Sequence, residues 1–98
     1  MQMRKAEGTL FQWDDGNSAK CQKHGVTLAE IEAMLTGITR RIAPDVAHSA
    51  EEQRFLAVGR TPTGRPIFVV FTLRGALIRP LSARYMHAKE AQRYEESS

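Results

Sequence analysis

The chain contains one cysteine, one tryptophan and no long apolar run. With Cys21 as the single thiol, no internal disulfide can form, and a zinc site made of several cysteines is excluded. The longest continuous apolar run covers residues 67–71, whereas a membrane-spanning helix needs roughly 20 apolar residues. No basic segment followed by an apolar one opens the sequence, as a secretory signal would. We therefore expect a cytoplasmic protein that does not enter a membrane.

The overall composition is that of one ordinary globular domain. A length of 98 residues is near the commonest domain size and is enough for a single hydrophobic core. A hydrophobic content of 42% with 26% charged residues is typical of neither disordered nor membrane-embedded chains. We expect residues 1–98 to form one domain, in which residues 1–8 are a loose N-terminal segment.

Charge is distributed unevenly along the chain. Residues 1–53 carry six Lys and Arg against eight Asp and Glu, a net charge of −2, whereas residues 54–98 carry eight against three, a net charge of +5. Seven of the eight C-terminal cations are arginines, whose planar guanidinium binds phosphate through parallel hydrogen bonds. This basic half indicates a nucleic-acid partner about as strongly as it indicates a well-solvated surface.

The strongest secondary-structure signal is a hairpin in the basic half. Residues 67–72 form a continuous run of mostly β-branched and aromatic side chains, typical of a strand covered on both faces at the centre of a sheet. Residues 61–64 predict a hairpin turn into this strand. Gly75 supplies the turn after it, and residues 76–83 form a second, antiparallel strand. The sequence therefore predicts that this hairpin is the core of the fold.

Two arginines of the second hairpin strand are candidates for a site. On an ideal strand, Arg79 and Arg84 lie five residues apart and so on opposite faces. Pro80 removes one ladder donor between them, which predicts an edge strand or a bulge that changes the direction of Arg84.

The remaining segments predict helices around this sheet. Thr27 and Glu30 have the spacing of a capping box. A polar helix precedes them, with Asp15 or Asn17 as N-cap, ended by Gly25, so that His24 and its neighbour Lys23 lie in its last turn. The predicted elements are, in order, a strand over residues 9–13, helices over 18–24 and 28–35, strands over 38–43 and 54–60, the hairpin, and a helix over 86–96. This order predicts an α+β fold: a small twisted antiparallel sheet of three to four strands, two N-terminal helices and one C-terminal helix.

A set of short motifs is spread over residues 10–94. They are Phe11-x-Trp13-Asp14, Lys23-His24-Gly25-Val26-Thr27, Arg54, Gly59-Arg60, Gly64-Arg65, Val70-Phe71-Thr72-x-Arg74 and Ile78-Arg79-x-x-Ser82-Ala83-Arg84. Together they resemble the BrnT family, small toxins of type II toxin–antitoxin systems with a RelE-like fold. The resemblance implies a ribonuclease that needs no cofactor, inhibits translation and is neutralised by a ribbon-helix-helix antitoxin, BrnA.

Metal-independent RNA cleavage needs a base, an acid and cations near one phosphate. His24 is the one histidine predicted outside a loop or a helix start, and therefore the candidate proton carrier. No paired carboxylates or His/Asp cluster resemble a two-metal nuclease site. With the resemblance, we assign catalysis to Lys23, His24, Arg79 and Arg84, RNA contact to Arg54, Arg60, Arg65 and Arg74, and no metal site.

Each of these assignments has a structural alternative. His24 can simply cap a helix C-terminus, Arg84 can form an ion pair with Asp14 or Glu90, and Trp13 can be a core residue instead of stacking on a base. A non-catalytic nucleic-acid or protein-binding module on the same fold is the alternative function.

The resemblance also makes a prediction about assembly. Ribbon-helix-helix proteins are dimers, so it implies two toxins for each antitoxin dimer. We expect the chain to be a monomer alone and to enter a two-plus-two complex with its antitoxin.

Overall fold

The computed structural model describes residues 10–37, 41–45 and 52–96, which form three helices and one four-stranded antiparallel sheet. The elements are α1 (Asp15–Gln22), α2 (Leu28–Thr36), β1 (Arg41–Pro44), β2 (Arg54–Arg60), β3 (Pro66–Arg74), β4 (Leu77–Tyr85) and α3 (Ala88–Glu96). The strand order is β1-β2-β3-β4. This arrangement confirms the predicted α+β class. Predictions for residues 1–9, 38–40 and 46–51 lie outside the described residues.

Two tight turns make the sheet a meander from β2 to β4. Between β2 and β3, the Thr61 N–H donates to the Arg65 carbonyl at 2.8 Å, and Gly64 has a φ of +89°. Between β3 and β4, Gly75 has a φ of +59°. Glycine takes these left-handed conformations without a steric penalty, so both predicted turns are confirmed.

The two faces of β3 are covered to different extents. Ile67, Val69 and Phe71 are buried against α1 and α2, on what we call the helix-packed face. The alternate side chains of Phe68 and Val70 are only half-buried. They lie on the opposite face, which we call the α3 face because Tyr94 of α3 contacts the Phe68 ring, with 6.5 Å between ring centroids. β3 is therefore an interior strand, as predicted, but only one of its faces is fully covered.

In the described part of the predicted first strand, residues 10–13, there is no full strand, so the prediction is wrong for these residues. Phe11 forms a single parallel bridge to Ile78 of β4, and the Gln12 N–H donates to the Ile78 carbonyl at 2.8 Å. The chain then enters α1 directly after Asp14, so the bridge does not continue towards the C-terminus.

Helix α1 begins and ends earlier than predicted. Its N-cap is Asp14, in extended conformation, and not Asp15 or Asn17. Asn17 completes a reciprocal capping box, because its side chain accepts from the Asp14 N–H at 2.7 Å while its own N–H donates to Asp14 Oδ1 at 3.0 Å. Since the helix ends at Gln22 with Lys23 as C-cap, the prediction that Lys23 and His24 lie in its last turn is wrong.

A β-bulge in β4 determines the face of the sheet on which its arginines lie. Val70 pairs with Ser82 while Phe71 pairs with Pro80, so one residue of β4 is left without a partner in the ladder. Pro80 predicted an edge strand or a bulge, and β4 has both features. The ladder then places Arg79 opposite Thr72 and Arg84 opposite Phe68, four residues apart on β3. The register therefore assigns both arginines to the same face, and the ideal-strand prediction of opposite faces does not hold.

The other predicted elements agree closely with the structure. Strand β2 has the predicted bounds, and Thr27 and Glu30 form the predicted capping box of α2. Helix α3 begins two residues later than predicted. Among the described residues, no helix combines the length and the apolar character that crossing a membrane requires.

Candidate functional site

A cavity of about 90 Å³ lies where the end of β4 meets the turn after α1. It is lined by His24, Phe68, Ser82, Ala83 and Arg84. The structure thus brings together two of the four predicted catalytic residues, although they are far apart in sequence. Phe68 gives the cavity an aromatic wall, and Ser82 adds a hydroxyl that can donate or accept a hydrogen bond.

His24 is placed in this cavity by the backbone of its turn. Gly25 has a φ of +92° and its N–H donates to the Gln22 carbonyl at 3.0 Å, while Val26 is buried in the core. His24 itself is exposed. Within the described ranges, its side chain makes no hydrogen bond or ion pair. The imidazole nitrogens are therefore able to form hydrogen bonds with a ligand.

Arg84 is held by a carboxylate of α3. Its two terminal nitrogens donate to Glu90 at 2.9 Å and 2.8 Å, and its guanidinium carbon lies 4.6 Å from the centroid of the Phe68 ring. Hydrogen bonding from Arg84 is the main cause that lowers the pKa of Glu90, and the same bond raises the pKa of Arg84. The structural alternative predicted for Arg84, an ion pair with Glu90, is thus present. The side chain is still 42% exposed, so it also faces solvent.

Arg79 is not among the residues that line the cavity. It donates to Asp14 Oδ2 at 2.9 Å and to Gln12 Oε1 at 3.2 Å, and its side chain is only 17% exposed. The backbone hydrogen bond from Asn17 and then the bond from Arg79 lower the pKa of Asp14. Arg79 therefore joins the N-cap of α1 to β4.

The other predicted cations lie outside the cavity lining. Arg60 pairs with Glu95 at 3.0 Å, and Arg74 pairs with Glu52 at 3.2 Å. The remaining three are placed as follows: Arg65 stacks on the Tyr85 ring at 3.4 Å from its centroid, Arg54 lies opposite Thr72 in the β2–β3 ladder, and Lys23 is exposed beside His24.

Sequence reasoning missed the residues that build the cavity around His24 and Arg84. Phe68 was assigned to a strand covered on both faces. The signal that could have placed its side chain outside the core is the alternation of side-chain direction along β3, which has a period of two residues. Ser82 appeared only as part of a motif.

Sequence reasoning also missed the contacts of Asn17, which was considered only as an N-cap. Asn17 is buried, and its side-chain amide donates to the carbonyls of Gln12 and Pro80 at 3.0 Å and 2.8 Å.

Acidic and sulfur ligands are dispersed over the described part of the chain. In residues 10–37, 41–45 and 52–96, no three His, Cys, Asp or Glu side chains are grouped so that they could hold a metal ion. Cys21 is a free, buried thiol in α1.

Comparison with known proteins identifies the family. A family model described as the ribonuclease toxin, BrnT, of type II toxin–antitoxin systems matches residues 13–90. No curated protein sequence matches the chain. The matched region includes His24, Arg84 and Glu90 together with the whole sheet, and it covers well over half of the 98 residues. The chain therefore belongs to the BrnT family of ribonuclease toxins of type II toxin–antitoxin systems.

Proposed function

We propose that the chain is an endoribonuclease that inhibits translation by cleaving RNA without a metal ion. In this mechanism His24 transfers the proton and Arg84 binds the scissile phosphate. The observation that carries the proposal is that both side chains line the same cavity of about 90 Å³, with His24 free of other hydrogen bonds in the described residues.

The chemistry requires one proton carrier and one cation beside the phosphate. Neutral His24 removes the proton from the 2′-hydroxyl, whose oxygen then attacks the phosphorus and forms a 2′,3′-cyclic phosphate. The 5′-oxygen leaves and takes the proton back from the imidazolium. Arg84 stabilises the additional negative charge on the phosphoryl oxygens, and the Ser82 hydroxyl donates a further hydrogen bond to them.

The ion pair with Glu90 is compatible with phosphate binding by Arg84. A guanidinium has five N–H donors, and the bidentate pair occupies one on each terminal nitrogen. Three donors remain, and the side chain is 42% exposed. Glu90 therefore orients the guanidinium while its outer edge can bind an oxyanion.

A cleavage assay with matched histidine variants tests the proposal. We expect the purified protein to cleave RNA in the presence of EDTA, and we expect His24→Ala to slow cleavage by about 10²–10⁴-fold because proton transfer is lost. His87→Ala is the control, since His87 is exposed just before α3 and does not line the cavity. Cleavage that requires added Mg²⁺, or a folded His24→Ala variant with the parental rate, would contradict the mechanism.

The same assay separates the alternative function. One observation favours a non-catalytic nucleic-acid or protein-binding module: besides His24, the cavity is lined by Phe68, Ser82, Ala83 and Arg84, and none of these is a histidine, carboxyl or thiol that could act as a second proton carrier. That alternative predicts that the parental protein binds RNA, or a protein partner, but leaves RNA intact.

The antitoxin of this toxin is, in our proposal, a ribbon-helix-helix protein of the BrnA type. The support is the net charge of +5 on residues 54–98, which an acidic segment can neutralise as it orders on the toxin. We propose that the toxin is a cytoplasmic monomer alone and forms a two-plus-two complex, with the antitoxin dimer providing the symmetry. Light scattering on the toxin and on the co-expressed complex measures both masses. A stable homodimer of the toxin alone would contradict the proposal, because the toxin itself would then provide the symmetry of the complex.

A further inference from the structure

We propose that Tyr85 is a positioning residue that holds the His24–Gly25 turn at a fixed distance from Arg84. This inference rests on the proposed function, in which His24 and Arg84 act on one phosphate. Tyr85 lies outside the cavity lining and does not contact the reacting groups.

Tyr85 directly follows Arg84 at the end of β4, so their side chains project to opposite faces of the sheet. Arg84 lines the cavity with His24, whereas Tyr85 packs against the hydrophobic core on the helix-packed face. On that face Tyr85 reaches the residue after His24. Its hydroxyl lies 3.3 Å from the Gly25 carbonyl oxygen, and a Cβ on Gly25 would lie 3.9 Å from Tyr85 Cε2. The turn therefore passes around the edge of β4, so that His24 lies against one face of the sheet and Gly25 against the other.

The Tyr85 side chain is itself held on two sides. Its hydroxyl donates to Glu30 Oε1 at 2.6 Å, and the guanidinium carbon of Arg65 lies 3.4 Å from the ring centroid. The single hydroxyl proton is shared, and the shorter bond to Glu30 is the stronger one. Glu30 is in turn fixed by the Thr27 N–H at 3.0 Å in the capping box of α2. A continuous chain of contacts thus runs from the start of α2 through Tyr85 to the turn.

The His24 turn needs this support because the imidazole has no hydrogen bond of its own among the described residues. Its position depends on the backbone of the turn, which is bounded by the end of α1 and by the buried Val26. When Tyr85 loses its hydroxyl, the link from the turn to Glu30 is lost while the aromatic ring and its stacking with Arg65 remain. A displacement of ~1 Å at a catalytic group can reduce the rate by up to about 10²-fold.

The test uses Tyr85→Phe, alone and combined with His24→Ala. We expect Tyr85→Phe to lower kcat about tenfold with a smaller change in KM, because the nucleophile and base are misaligned while RNA still binds. In the His24→Ala background, the same change is expected to have no further effect. Thr36→Ala is the matched control, because it removes an exposed hydroxyl at the opposite end of α2, where Thr36 Oγ1 donates to the Glu32 carbonyl at 2.8 Å, and leaves the Tyr85 hydroxyl bond in place. An unaltered kcat in Tyr85→Phe, an equal loss in the His24→Ala background, or an equal loss in Thr36→Ala would overturn the inference.

A measurement without RNA separates this inference from the proposed mechanism. We expect the backbone amide resonances and ¹⁵N relaxation of residues 23–25 to change in Tyr85→Phe and to stay as in the parent in Thr36→Ala. If His24→Ala leaves the cleavage rate unaltered, the mechanism fails, and the NMR comparison alone decides whether Tyr85 fixes the turn. Unaltered signals from residues 23–25 in Tyr85→Phe would then refute the positioning role.

Discussion

Arg84 donates two parallel hydrogen bonds to Glu90, at 2.9 Å and 2.8 Å, while lining the cavity that contains His24. Glu90 lies in the first turn of α3, so this helix fixes the direction of the guanidinium beside the cavity. The pair is partly exposed, with 42% and 26% of the two side chains accessible, and such pairs contribute little to stability. The geometry is thus better explained by orientation of Arg84 than by stabilisation of the fold.

The two arginines of β4 are expected to respond in opposite ways to removal. Arg84→Ala should weaken RNA binding strongly, with little change in melting temperature, because its side chain is exposed and its ion pair is solvent-screened. Arg79→Ala should lower the melting temperature clearly and leave RNA affinity near the parental value, because Arg79 joins Asp14 and Gln12 to β4 and is 17% exposed. Fluorescence anisotropy with labelled RNA and thermal unfolding measure the two effects.

Arg93→Ala is the control for the loss of a positive charge, since Arg93 is exposed in the last turn of α3. It should change RNA affinity only slightly. A large loss of stability in Arg84→Ala with unaltered RNA affinity would make that residue structural.

Removing the Asn17 side chain is expected to destabilise the fold. Asn17 is 3% exposed, and its amide donates to the carbonyls of Gln12 and Pro80. Asn17→Ala leaves the buried Pro80 carbonyl without this donor, which costs about 1–3 kcal/mol. Urea denaturation measures the change in the free energy of unfolding.

Ser18→Ala, at the next position in α1, is the comparison for Asn17→Ala. The Ser18 hydroxyl donates to the carbonyl of Asp14 in an exposed hydrogen bond. Its removal should change stability by less than about 0.5 kcal/mol. Equal effects of the two variants on the free energy of unfolding would show that the buried amide of Asn17 contributes no more to stability than an exposed hydrogen bond.

Stability is expected to fall in acid because two glutamates have lowered pKa values. Hydrogen bonding from Arg84 lowers the pKa of Glu90 below its ordinary 4.5, and the backbone hydrogen bond from Thr27 is the main cause that lowers the pKa of Glu30. A carboxyl with a lowered pKa in the folded state stabilises the protein above its unfolded pKa. This stabilisation is lost as the pH falls through the folded-state value. The free energy of unfolding should therefore decline below about pH 4.5.

Glu90→Gln should reduce the slope of this acid dependence, because the glutamine does not titrate. Glu96→Gln is the control, since Glu96 is exposed and, among the described residues, its side chain accepts a hydrogen bond only from the side chain of Gln92. Urea denaturation between about pH 3 and pH 7 covers the window in which these glutamates titrate. A parental slope in Glu90→Gln would show that the ion pair with Arg84 does not contribute to it.

The Cys21 thiol is expected to be unreactive in the folded protein. Burial raises the pKa of Cys21 to about 11, so almost no thiolate is present at neutral pH. Ellman's reagent should therefore react slowly with the native protein and rapidly in urea. Fast, complete reaction without denaturant would show that the thiol is accessible and ionised.

The local elements of this fold and its family could be predicted from the sequence alone. The capping box of Thr27 and Glu30, the turn at Gly64 and the bounds of β2 depend on residues within a few positions of one another, and each was predicted correctly. The excess of arginine in the C-terminal half was also a property of the sequence alone.

Which of these residues lie together depends on contacts between elements that are distant in sequence. His24 and Arg84 share a cavity because the turn after α1 lies against the end of β4, a contact that no local backbone preference specifies. Likewise, one unpaired residue in β4 places Arg79 and Arg84 on the same face. Their exposure then differs, because Arg79 beside Asp14 is 17% exposed and Arg84 beside Glu90 is 42% exposed. Side-chain direction on a strand has a period of two, so a single inserted residue reverses it, and the register that sets it is fixed by packing over the whole sheet.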